Sequence, residues 1–132
     1  MSPVLNLPLA HAVLRALHTK PHLHHAWLWR RECLDDTAYN IAGWTVTLAG
    51  AEWTGHGELV RYKGRVRAVP MLAQELLGLP HTQARRLFYH SDEDQAVRLL
   101  SDLIAHATRT QRDRLRTLET LPAAVIGSTP RP

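Results

Sequence analysis

Histidine is the side chain with the widest chemical reach in this chain. There are 9 in 132 residues, and His18, His22, His24 and His25 crowd one short stretch. His18 and His22 stand four apart, the spacing that sets two metal ligands on one helical face. Pro21 lies between them and breaks the helix that this geometry needs. No cysteine or aspartate adjoins them to complete a set, so the spacing predicts adventitious metal affinity and no structural metal. Cys33 is the sole thiol, which excludes an intrachain disulfide. A helix N-terminus would activate it, but Asp35 and Asp36 oppose that effect, and it is expected to pack as a small hydrophobe. There is no phosphate-cradling glycine loop, no zinc-hydrolase histidine pair and no nucleophile elbow. No catalytic residue, cofactor or metal is assigned. A small enzyme or small-molecule binder, using a pocket lined by Trp27, Trp29, Trp44 and Trp53, is the least favoured reading.

The bases carry more information. Almost all are arginine, Lys20 and Lys63 being the only lysines, and the formal charge is +4. Arginine suits two-pronged contacts to carboxylate or phosphate. Arg61, Lys63, Arg65 and Arg67 alternate along one short segment, with Tyr62 and Trp53 nearby for stacking. A solvent-facing basic ribbon is expected there, although the same charges would protect an edge strand from pairing. Glu52 and Glu58 flank it and offset part of its charge. Arg112 and Arg114, within the run from Arg109 to Arg116, extend the basic surface. The stretch from Leu72 to Phe88 resembles a helix-turn-helix that would offer His81, Gln83, Arg85 and Arg86 to DNA. Gln74 stands where that motif has a small residue, so an ordinary helical hairpin is the simpler expectation. The function expected from these patterns is non-catalytic binding of a macromolecule. Another protein is the first partner, and nucleic acid the alternative.

Those residues must be held by a chain of ordinary globular composition, 45% hydrophobic and 21% charged. The pattern predicts a mainly α fold: one compact helical domain over 1–121, with five to six helices and a small β-hairpin near 58–69. A loose Pro/Ser/Thr tail is expected over 122–132. A first helix is expected after Pro8, closed by Pro21, and a short second one over 22–31 with Leu23, Trp27 and the stem of Arg30 inward. From Thr37 to Gly50 no residue is charged, which predicts a buried central helix with Ile41 and Leu48 among the least exposed residues. Gly43 within it predicts close approach by another helix, the one bearing Leu99 and Leu103. The hairpin pairs 59–62 with 65–68 across Lys63-Gly64. Helices follow at 71–79 and 82–89. The longest then starts at a Ser91 or Asp92 cap and buries Ala96, Leu99, Leu100, Leu103, Ile104 and Ala107. No apolar run approaches the roughly 18 residues of a membrane span, and the start of the chain lacks a signal peptide's basic region. The cytoplasm is the expected compartment.

Two stretches resemble a known pattern. Cys33-Leu-Asp-Asp-Thr-Ala-Tyr-Asn-Ile-Ala-Gly-Trp44 is similar to C-G-T-x-x-C-I-A-G-W. Ala73-Gln-Glu-Leu-Leu-Gly-Leu79, with Gln83-Ala84 and Leu87-Phe88, is similar to A-x-x-L-L-G-L-T-x-x-Q-A-x-x-L-F. The pair, in this order, resembles small helical proteins of actinobacteria and their phages and covers Cys33 to Phe88. Most of its positions are packing residues, so the resemblance implies a shared fold and transfers no activity. Asn40 occupies the place of the pattern's second cysteine.

Overall fold

The computed structural model describes residues 4–26, 28–32 and 37–119. Helix α1 (Leu7–Thr19) begins where the Asn6 side chain accepts a hydrogen bond from the Leu9 N–H at 3.2 Å. It buries Ala10, Val13 and Leu17, one stripe at helical spacing. Pro21 ends that geometry, and a single 3-10 turn follows at Pro21–Leu23.

Contrary to expectation, no α-helix forms among the described residues of 22–31, where the backbone on either side of His24 pairs with Tyr39. The Tyr39 N–H donates to the Leu23 carbonyl at 2.9 Å, and the His25 N–H donates to the Tyr39 carbonyl at 2.9 Å. Strands β1 (Arg31–Glu32) and β2 (Thr37–Ala38) continue the pairing as a short antiparallel ladder. Leu23 is buried as expected, while Arg30 is exposed, its guanidinium 5.6 Å from the centre of the Trp53 ring. Trp27, Cys33, Asp35, Asp36 and the 122–132 tail lie outside the described residues.

The central helix, α2, is shorter than its charge-free stretch: it spans Ile41–Leu48, not Thr37 to Gly50. Asn40 sets its start, accepting the Gly43 N–H at 2.8 Å in a buried bond. Gly50 follows the end at φ +92°, the left-handed conformation that terminates helices. Ile41 through Val46 are buried, but Leu48 is 43% exposed, which corrects the expectation for it. Leu48 shares Ile41's face of the helix, two turns further along, where the cover ends. The close approach at Gly43 is real but comes from a different neighbour. A Cβ there would run into the Trp29 carbonyl oxygen and meet the Tyr39 Cβ at 2.9 Å, so the intruder is the segment preceding α2 and not the helix of Leu99 and Leu103.

Strands β3 (Glu52–Trp53), β4 (Leu59–Tyr62) and β5 (Arg65–Ala68) form an antiparallel sheet in that order. The hairpin falls where the sequence places it. Lys63 and Gly64 have φ +51° and +78°, both positive as a type I′ turn requires. The two-residue β3 was not anticipated.

Helices α3 (Val69–Leu77), α4 (His81–Tyr89) and α5 (Glu93–Glu119) complete the order. Gly78 ends α3 in the left-handed region, at φ +72°. Of the two candidate caps for α5, Asp92 is the one used: it accepts the Gln95 N–H at 2.8 Å while Gln95 accepts the Asp92 N–H at 3.0 Å. Side chains from all five helices, with Val60 of β4, share one buried core. Leu99 and Leu103 pack at its margin, only partly buried. No helix among the described residues is long and apolar enough to cross a membrane.

Candidate functional site

Alternation along the hairpin decides where its bases go. The register pairs Trp53 with Val60, Val60 with Arg67, and Tyr62 with Arg65. These five share the face that carries the fully buried Val60. Glu52, Leu59, Arg61, Val66 and Ala68 form the opposite face. The four bases therefore do not line one ribbon, which corrects the expectation. Arg61 shares the outer face with Leu59 (37% exposed), Val66 (54% exposed) and an opposing Glu52. Arg67 turns inward, is partly buried and is held by Glu75 at 2.7 Å. Lys63 lies 5.4 Å from the Tyr62 ring centre at the tip, and Arg65 is exposed beside it.

Helix α4 presents a cleaner surface. Ala84, Leu87 and Phe88 anchor one side in the core. His81, Thr82, Arg85, Arg86 and Tyr89 are exposed, and Thr82, Arg85, Arg86 and Tyr89 lie on the side opposite the anchor. From Leu76 to Ser91 there is no carboxylate. The Tyr89 ring meets Trp29 edge-on at 5.4 Å. Its hydroxyl pKa is raised by burial and by the nearby charge of Glu58, with Arg85 acting in the other direction.

The other flank of α4 meets α5. Arg86, His90, Ser91, Gln95, Arg98, Leu99 and Asp102 line a hollow of about 250 Å³ at this corner. Ser91 is not free to react there, since its hydroxyl donates to the Arg86 carbonyl at 2.7 Å. His90 caps α4 one turn after Arg86, whereas Arg98 reaches Arg86 only through the α4–α5 packing. Beyond Thr108, α5 is exposed on every side through Leu118. Arg109, Arg112 and Arg116 share one side of it. Arg114 points elsewhere, lining an apolar groove of about 450 Å³ with Leu5, Leu7 and Pro8.

The histidine cluster forms no metal centre: among the described residues no group of three His, Cys, Asp or Glu side chains is placed to hold an ion. His18 and His24 line a hollow with Glu93, Asp94 and Arg98. His24 is 9% exposed, and its Nε2 is enclosed without a hydrogen-bond partner among the described residues. Desolvation lowers its pKa, aided by His25 and opposed by Glu93 and Asp94.

The tryptophans are structural where described. Trp44 is buried, donates to the Leu23 carbonyl at 3.2 Å and meets Tyr39 edge-on at 5.2 Å. Trp53 stacks on the other side of the cluster, 5.6 Å from Tyr39, and donates to the Thr47 hydroxyl at 3.0 Å. None of the hollows above is lined by tryptophan.

Comparison with protein-family models, with curated proteins and with solved structures finds no match to this chain.

Proposed function

We propose that the chain is a non-catalytic binding module that docks an acidic macromolecule on its arginine-bearing surface. One observation carries this reading. Helix α4 is anchored by its inner face, and its outer face holds two exposed arginines within a stretch free of carboxylates. Asp102 lines the hollow beside Arg86 and Glu58 acts on Tyr89, but neither Arg85 nor Arg86 is ion-paired among the described residues, so their forked donors stay available to a partner. Lys63 and Arg65 at the hairpin tip, and Arg109, Arg112 and Arg116 on α5, are further exposed bases. Arg67 is ion-paired with Glu75 and Arg61 stands opposite Glu52 in the register, so both contribute less.

Retention on a heparin matrix tests this reading. The variant Arg85→Ser/Arg86→Ser should elute at clearly lower salt than the wild type. Arg15→Ser/Lys20→Ser, which removes the same charge from α1 and its end, should shift elution far less. Equal shifts would mean that the matrix senses net charge alone, and the α4 surface would lose its standing.

A further inference from the structure

We propose that the acidic partner is duplex DNA, and that Arg86 and Arg98 seat one backbone phosphate while α4 enters the major groove. This rests on the binding reading above and names its partner.

The first support is how α3 and α4 are joined. Gly78 takes the left-handed conformation at φ +72°, and Leu79 and Pro80 complete a three-residue turn into α4. Ala73 and Leu77 before the turn, Leu79 within it, and Ala84 and Leu87 after it are all buried. That burial pattern holds a second helix across the first with its outer side free, the arrangement a groove-reading helix needs. Gln74 is only half-buried, so the larger side chain at that position is accommodated without disturbing the joint.

The second support is the chemistry of the exposed side of α4. His81, Thr82, Arg85, Arg86 and Tyr89 all carry hydrogen-bonding groups, and Tyr89, 45% exposed, is the one large apolar side chain exposed on this helix. A protein interface centres on a desolvated apolar anchor. A DNA interface is polar and strongly positive, as this side is.

The third is the corner hollow. Arg86 from α4 and Arg98 from α5 line it together with His90, and Asp102 is its one carboxylate. Two arginines from different helices line this one hollow, and although Arg98 also borders the hollow of Glu93 and Asp94, their forked donors suit a phosphodiester at the groove edge. Phosphate contacts of this kind set the orientation of the reading helix without adding sequence preference.

The test is fluorescence anisotropy with a labelled 30-base-pair duplex of mixed sequence, and with labelled polyglutamate of similar length, across a salt series. Wild type should bind the duplex more tightly than polyglutamate. Arg86→Gln/Arg98→Gln should weaken duplex binding about tenfold or more, and reduce the slope of log affinity against log salt by about 1, for the one phosphate lost. Arg86→Lys/Arg98→Lys, which keeps the charges, should restore the slope. Unchanged affinity and slope in the glutamine variant would overturn the phosphate seat while leaving the binding reading intact. Preference for polyglutamate would overturn DNA as the partner and favour an acidic protein. Binding to neither polymer would overturn the binding reading and this inference together.

Discussion

Gly43 sits inside a helix, where alanine would ordinarily be the better residue by about 1 kcal/mol. The Trp29 carbonyl and the Tyr39 side chain occupy the space that a methyl group would need. The nearer obstacle is backbone, which cannot rotate aside, so overpacking outweighs propensity. Gly43→Ala should therefore lower the urea midpoint, and a raised midpoint would show that the segment before α2 gives way freely. Asn40 is coupled to the same spot, because its side chain accepts the Gly43 N–H in the interior. Removing that acceptor costs about 1 kcal/mol as a lost cap, and leaves a buried donor unsatisfied, so Asn40→Ala should cost about 1–3 kcal/mol. Asn40→Ser, which keeps an acceptor, should recover part of it by the same denaturation measurement. His24 makes stability depend on acid. Its folded pKa lies below the ordinary 6.5 because burial disfavours the charged ring, so the unfolded chain binds the proton more readily. Stability from this residue is complete above about pH 6.5, and falls as pH drops toward the folded value. Thermal melts at pH 7.5 and 5.5 should show a smaller acid loss in His24→Gln than in the wild type. Equal losses would assign the acid sensitivity to other groups.

Elements that depend on local chemistry were readable from the sequence. The Lys63-Gly64 hairpin, the Pro8 start and Pro21 stop of α1, the Gly78 stop of α3 and the cap of α5 each follow from turn and capping residues within a few positions. The segment 22–31 was not readable, because its apolar spacing suits a helix and only pairing with distant Tyr39 makes it extended. The same pairing shortens α2 at its start, since Tyr39 cannot both pair with Leu23 and join a helix. Strand β3 was missed because two residues carry no measurable alternation. At the candidate site Arg85 and Arg86 were legible, whereas Arg98 required the α4–α5 corner. The inward turn of Arg67 follows from the two-residue turn, which puts Arg67 opposite the buried Val60. Burial along α2 yields its own expected result. Ile41, 1% exposed, should cost about 2–5 kcal/mol when cut to Ala. Leu48, 43% exposed, should cost about 1 kcal/mol or less. Comparable losses at both positions in equilibrium unfolding would mean that the end of α2 is covered after all.

Charge is distributed so that folding and the proposed docking draw on different residues. The shared core comes from the five helices with Leu23, Ala38, Val60 and Leu79, and it contains no arginine. The bases of the proposed docking surface stand on an α4 face, a hairpin tip and the far end of α5. That helix has 27 residues, so at about 1.5 Å per residue it reaches roughly 40 Å. From Arg109 to Leu118 it is exposed throughout, and this part therefore adds little to the stability of the remainder. It does not need to nucleate, because the packed turns before it already supply a formed helix for it to extend. Arg109, Arg112 and Arg116 share one side of this extension, at the spacing that stacks side chains on a helix surface. Replacing the three with Gln keeps helix propensity nearly constant, since Arg and Gln rank closely. The melting temperature of that variant should stay within a few degrees of wild type, because exposed substitutions fall within about 0.5 kcal/mol. Its affinity for the mixed-sequence duplex should drop, with the salt slope falling by up to about 3 if each arginine meets a phosphate. Arg114→Gln is the control within the same helix. It points into the groove beside Leu5, Leu7 and Pro8, and should leave both affinity and slope close to wild type. If the triple variant binds as the wild type does, the extension of α5 stands away from the bound duplex, and the contact is confined to α4, its corner with α5 and the hairpin tip.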